Sequence, residues 1–208
     1  VMTFATFFAM FVGGGMGIKE KIMMHDLLEE DNIGTISRVI TFLIVMTFIL
    51  EFIGAVSIYA SIHHKYSSMG EAIFTSVFHS ITAFCNAGFS LYSQNLLEPL
   101  VRDNFQFTFT ISLLIIIGGI GFPTLMSLSN FNISTIKKEK IKYKVPVQTK
   151  IIIKTTLALI ILGTLFTFLN EYNYSLKDLG IWDKVYHAYF QAISARTAGF
   201  NTVDVSHF

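Results

Sequence analysis

Phe78-His79-Ser80-Ile81-Thr82-Ala83-Phe84-Cys85-Asn86-Ala87-Gly88-Phe89-Ser90 aligns with Phe190-Gln191-Ala192-Ile193-Ser194-Ala195-Arg196-Thr197-Ala198-Gly199-Phe200-Asn201, which is one residue shorter. A repeat of this kind governs the reading of everything around it. Each copy closes a short apolar segment, 72–84 or 185–195, and runs into a Gly-Phe pair. Both segments are too short to cross a bilayer, which takes about 20 apolar residues. Both carry polar residues: Thr75, Ser76, His79, Ser80 and Thr82 in the first, His187, Gln191 and Ser194 in the second. Short apolar segments of this length suit re-entrant or core helices. Ser68-Met69-Gly70-Glu71 supplies a capping-box start for the first, and Ser175-Leu176-Lys177-Asp178 a looser one for the second.

Around these copies lie longer apolar stretches. Residues 39–62 hold a single charge, Glu51; 105–129 hold none; 151–169 hold only Lys154, near one end. Each is long enough to span. The order is therefore spanning helix, short re-entrant helix, Gly-containing extended strand, spanning helix. Ile120-Gly121-Phe122-Pro123-Thr124-Leu125-Met126 is echoed at Val1-Met2-Thr3-Phe4-Ala5, which places residues 1–17 at the end of a preceding unit's inner helix.

Composition agrees. Of 208 residues, 52% are hydrophobic and 14% charged, with 21 Phe and 8 Met; mean hydropathy is +0.58. Soluble domains carry about 25% charged residues, so a soluble globular enzyme is excluded as the reading. Fifteen Lys and Arg against fourteen Asp and Glu leave a net charge of +1 and no basic surface for nucleic acid. One cysteine, Cys85, excludes an intramolecular disulfide framework. The apolar start has no basic n-region, so a signal peptide is not expected, and the chain reads as an internal piece of a longer membrane protein.

The organisation that follows is an all-α membrane protein built of repeated helix–re-entrant loop–helix units. Residues 18–130 form one complete unit, with a span at 39–62, a pore helix at 70–84, a filter at 85–90 and a span at 105–129. Residues 131–150 form a basic loop, and 151–208 the first half of the next unit: span 151–169, pore helix 182–195, filter 196–201. The segment 130–150 has six lysines (137, 138, 140, 142, 144 and 150) against one glutamate and reads as cytoplasmic. It is equally open to reading as a contact for anionic lipid or a cytoplasmic partner.

Non-helical backbone at membrane depth survives only where protein buries it or water lines it. A cation filter uses such backbone, because carbonyl oxygens replace the ion's hydration shell. Gly88 and Gly199 supply the freedom such a strand needs, and Ala87 and Ala198 are small enough for strands to approach. Each short helix directs its partially negative C-terminus inward, a favourable field for a cation.

These residues resemble the Trk/Ktr/HKT superfamily of potassium transporters, with the bacterial Ktr-type membrane (pore) subunit the nearest pattern. Asn86-Ala87-Gly88-Phe89-Ser90 and Arg196-Thr197-Ala198-Gly199-Phe200-Asn201-Thr202 are similar to filters of its second and third repeats, and Gly118-Gly119-Ile120-Gly121-Phe122-Pro123-Thr124 to its second inner helix. The resemblance implies four repeats around one pore with pseudo-fourfold symmetry. It implies a K⁺ filter at Asn86, Ala87, Gly88, Phe89, Thr197, Ala198, Gly199 and Phe200, supported by Cys85, Ser90, Arg196 and Asn201. It further implies multi-pass residence in the plasma (inner) membrane, a homodimer, a cytoplasmic nucleotide-binding regulatory subunit and no cofactor in this chain. K⁺ is the transported ion, with Na⁺ as a candidate coupled ion. Asn86 departs from channel filters, which carry Thr there, so a hydroxyl ligand is missing from the innermost site.

Single residues keep alternative readings. Arg196 is either a brake on ion occupancy or half of a buried pair with Asp204. Glu51 serves either ion coupling or an interhelical hydrogen bond. His63-His64, His79, His187 and Glu71 lack metal-motif spacing. Cys85 reads as a small packing residue behind the filter. The Gly118-Gly119-Ile120-Gly121 stretch with Pro123 serves either as a breakable gating point or as a close-packing surface. Two rival functions are an intramembrane enzyme using His79, His187 and Glu51, and a non-transporting membrane scaffold.

Overall fold

The computed structural model describes residues 36–136, 144–177 and 179–203. The expected inner-helix end at 1–17, Asp204 and Lys137, Lys138, Lys140 and Lys142 of the basic loop lie outside them. The chain divides into two compact units, 1–50 and 51–208. Of the first, the described part is the opening of a long helix; the second holds the candidate site.

Among the described residues the structure is all-helical. In chain order the helices are α1 (Ile36–Ile62), α2 (Met69–Phe84), α3 (Pro99–Arg102), α4 (Phe105–Ile120), α5 (Phe122–Ile136), α6 (Val147–Glu171) and α7 (Ile181–Thr197). Thr41–Lys65 and Val147–Glu171 are each 25 residues and apolar enough to cross a membrane. At 1.5 Å per residue each rises about 37 Å. Their outward side chains, among them Phe48, Phe52, Ile53, Leu162, Phe166 and Leu169, are more than half exposed. An exposed surface this apolar suits lipid better than water.

Helix α2 has the polarity of a soluble helix reversed. It buries Thr75, Ser76, His79, Ser80 and Thr82, and exposes Ile73, Phe74, Val77 and Ile81. Ser76, His79, Ser80 and Thr82 find partners close by. Ser76 Oγ donates to the Ala72 carbonyl at 2.6 Å and His79 Nδ1 lies 2.8 Å from the Thr75 carbonyl. Ser80 Oγ reaches across to the Glu51 carbonyl of α1 at 2.6 Å. That bond uses the backbone of Glu51 and not its carboxylate.

Polar bonds also tie α4 to α1. Asn104 caps α4, its Oδ1 accepting from the Phe107 N–H at 3.1 Å, while its Nδ2 donates to the Ser61 carbonyl at 2.8 Å. Ser57 and Thr110 hydroxyls meet at 2.8 Å. Gly54 sits where α1, α2 and α4 converge: a Cβ there would lie 2.5 Å from Ser80 Oγ and 2.7 Å from Leu114 Cδ1.

Boundaries depart from expectation in instructive ways. The span expected at 105–129 is two helices bent by 95°. Gly121 is the break, at φ +90° and ψ 150°, a region open essentially to glycine alone. Pro123 falls in the first turn of α5, where its missing N–H matters least. Gly118 and Gly119 have the other role: a Cβ on Gly118 would overlap the Phe84 carbonyl, and one on Gly119 would lie 2.6 Å from Arg196 Nη2. One glycine-rich stretch therefore provides both close packing and a break. Ser68 occupies the N-cap position of α2 but its side chain makes no capping bond. Ser175 does not start α7 at all; its Oγ donates to Glu171 Oε2 at 2.8 Å, and the helix begins after Gly180.

Two outcomes are expected in the full-length parent. Asn104→Ala loses the cap and the bond to α1, lowering stability by about 1–2 kcal/mol, read as earlier thermal unfolding in detergent; Asn104→Asp, which keeps the cap acceptor, loses less. Gly118→Ala must push α4 off the end of α2, and its expected loss is about 1–3 kcal/mol by the same measurement.

Candidate functional site

The two copies of the sequence repeat end their helices side by side. Helix α2 stops in a Schellman motif: the Asn86 N–H donates to the Ala83 carbonyl at 3.1 Å and the Ala87 N–H to the Thr82 carbonyl at 2.9 Å. Asn86 takes the left-handed conformation this requires, with φ +51°; among residues with a Cβ, asparagine is one of the few that tolerate it. Helix α7 ends with the Ala198 and Gly199 N–H groups both donating to the Ser194 carbonyl, at 2.9 and 3.0 Å. Gly199 has φ +81° and Gly88 φ +71°.

Beyond the helices, each loop is braced from its own helix. His79 Nε2 lies 3.3 Å from Ser90 Oγ. Gln191, at the position of His79 in the second copy, donates from Nε2 to Asn201 Oδ1 at 3.2 Å. Ser194 Oγ donates to the Phe200 carbonyl at 2.5 Å. His187 Nδ1 meets Thr202 Oγ1 at 3.1 Å. Both histidine rings are buried, and His79 also stacks on Tyr92 at 5.1 Å. Tyr92 in turn shares a 2.9 Å bond with the Tyr66 hydroxyl. Burial, reinforced by that bond, holds its phenol well above the ordinary tyrosine pKa, so it stays neutral.

The loops touch at three levels. Nearest the helix ends, Thr197 Oγ1 lies 3.1 Å from the Asn86 amide. In the middle, a Cβ on Gly88 would overlap the Ala198 carbonyl oxygen, so backbone meets backbone. At the far end, the Asn201 N–H donates to Asn95 Oδ1 at 3.4 Å, and Asn95 is itself left-handed, with φ +56°.

The expected site residues are therefore brought together, with exceptions in detail. Arg196 and Thr197 belong to the last turn of α7 rather than to an extended strand. Arg196, half-buried, sets its guanidinium against Gly119, at the negative end of its helix. Cys85, the C-cap of α2 in the αR conformation, is exposed in this chain. Phe89 is 67% exposed and Phe200 fully buried, so the two Gly-Phe pairs are not equivalent. Ser90 and Asn201 are held by His79 and Gln191, as above. Gln191 and Asn95 were missing from the expected site. The first was readable by aligning it with His79; the second had no signal beyond an asparagine in a loop.

The cation transport protein family TrkH matches residues 1–208. The chain is 34% identical over 98% of its length to Ktr system potassium uptake protein B of Bacillus subtilis, covering 44% of that protein. It is 30% identical over its full length to a protein of the same name from Vibrio alginolyticus, again covering 44%. Over 88% of its length it is 24% identical to the potassium/sodium uptake protein NtpJ of Enterococcus hirae, covering 39%. The chain thus spans less than half the length of these relatives. A match along every residue, together with spanning helices around two glycine-ended loops, establishes that this chain belongs to the Trk/Ktr family of membrane cation transport proteins.

Proposed function

We propose that the full-length protein takes up K⁺ across the plasma membrane through a pore whose filter is made of backbone carbonyls. Asn86, Ala87, Gly88 and Phe89 form one wall and Thr197, Ala198, Gly199 and Phe200 another. The observation that carries this is the approach of the two loops at Gly88 and Ala198, both leaving a helix C-terminus through left-handed backbone. Carbonyls gathered there, at two negative helix ends, offer a cation ligands and a favourable field. Ser90 and Asn201 hold the loops from outside; Arg196 braces the helix end. Two further walls belong to parts of the protein beyond this chain.

The names of the relatives support K⁺ as the ion, and that of NtpJ supports Na⁺ as a second ion moved or coupled. The four-repeat pore with pseudo-fourfold symmetry, the homodimer and the cytoplasmic nucleotide-binding subunit are carried over from the family. The re-entrant helices enter from the outer face, with the lysine-rich 131–150 segment on the cytoplasmic side. The enzymatic rival loses ground because both histidines are engaged in bracing loops.

The test is uptake of radioactive Rb⁺ and Na⁺ by the full-length parent. A left-handed alanine costs about 1–2 kcal/mol. Gly88→Ala and Gly199→Ala are therefore each expected to lower the Rb⁺/Na⁺ ratio about tenfold, Gly88→Ala more so because its methyl also meets the Ala198 carbonyl. Uptake of neither ion, or an unchanged ratio in both variants, removes the filter.

A further inference from the structure

We propose that Asn86 is a positioning residue, whose side-chain amide locks both loops to the end of α4 and so sets the geometry of the ion-binding carbonyls. This rests on the filter reading above and adds what holds that filter in register.

The amide orientation follows from its neighbours. Nδ2 donates to the Ile115 carbonyl at 3.2 Å and to Thr197 Oγ1 at 3.1 Å, while Oδ1 accepts from the Gly119 N–H at 3.2 Å. Ile115 and Gly119 are four residues apart, the pair that an uninterrupted helix joins to each other. The amide thus bridges one rung of the α4 ladder. Two residues on, Gly121 turns the chain through the 95° bend.

The last turn of α7, which leads into the second loop, reaches the same rung. Thr197 touches it through Asn86, and Arg196 lies against Gly119, close enough that a Cβ there would lie 2.6 Å from Nη2. Both loops are therefore registered on residues 115–119 of α4. Bond-sharing networks of this kind are worth more than their separate bonds.

The backbone alone does not explain the residue. At φ +51° glycine serves as well as asparagine, so the amide is the part glycine lacks. That makes Asn86→Gly the informative variant: it keeps the left-handed turn and deletes only the side chain.

The readout is the Rb⁺/Na⁺ uptake ratio of the full-length parent in vesicles, which a purely structural residue does not move. Asn86→Gly is expected to lower it about tenfold, the scale of losing one or two net hydrogen bonds. Thr197→Val, which removes one partner, lowers it in the same direction, and Thr197→Ser stays closer to the parent. The double variant Asn86→Gly/Thr197→Val falls no further than Asn86→Gly, since the two act through one network. A ratio for Asn86→Gly within about twofold of the parent, while Gly88→Ala does lower it, overturns the proposal and leaves the filter standing. Unchanged ratios in both remove the filter and the proposal together. If Asn86→Gly fails to reach the membrane, the Thr197 variants decide: equal ratios for Val and Ser overturn it.

Discussion

Where Gly118 faces the Phe84 carbonyl and Gly88 faces the Ala198 carbonyl, no side chain stands between one stretch of backbone and another. That closeness is the constraint on which the second unit depends. It seats the end of α4 directly on the end of α2, and it sets the two loops in contact. The Asn86 amide reaches the α4 ladder only because the helix lies so near. A methyl group at either glycine separates surfaces that the hydrogen bonds around them require to touch.

The second organising fact is the reversed polarity of the packing. Ser76, His79, Ser80, Thr108, Thr110 and Ser112 are buried, while Phe52, Phe74, Phe105, Phe109, Leu113 and Phe166 are exposed. In lipid this is the economical arrangement, since apolar side chains have no reason to leave the membrane and every polar group must find a partner inside. Partners are found mostly one helical turn back: Thr110 Oγ1 on the Gln106 carbonyl at 2.7 Å, Ser112 Oγ on the Phe109 carbonyl at 2.8 Å. Bonds between helices are fewer and are placed where they matter, at Ser57–Thr110, at Ser80–Glu51 and at Asn104–Ser61. The Tyr186 and Thr108 hydroxyls add one between α7 and α4.

Much of the site was legible in residues 78–90 and 190–201, because repetition of a pattern needs no knowledge of contacts. The repeat located both helix ends, both glycines, and the bracing residues Ser90 and Asn201. Two details differ. Arg196 and Thr197 continue α7, since nothing in Ser194-Ala195-Arg196-Thr197 stops a helix before Gly199. Ser68 and Ser175 both matched start patterns, but a cap is a hydrogen bond formed in space, and Ser175 found the Glu171 carboxylate instead.

By itself, the sequence determined the class of protein, the approximate places of its apolar helices, the duplicated glycine-ended loop and the need for conformationally free residues there. These follow from apolar run length, composition and the steric limits of a Cβ, all local properties of a chain. The tertiary structure decided which glycine of Gly118-Gly119-Ile120-Gly121 packs and which one breaks the helix. It also decided that Asn86 bonds to Ile115, Gly119 and Thr197, and that Asn95 closes the far end. Those choices turn on groups up to 111 positions apart meeting within 3.5 Å, and hydrogen bonds are too short and too directional for spacing along a chain to specify them.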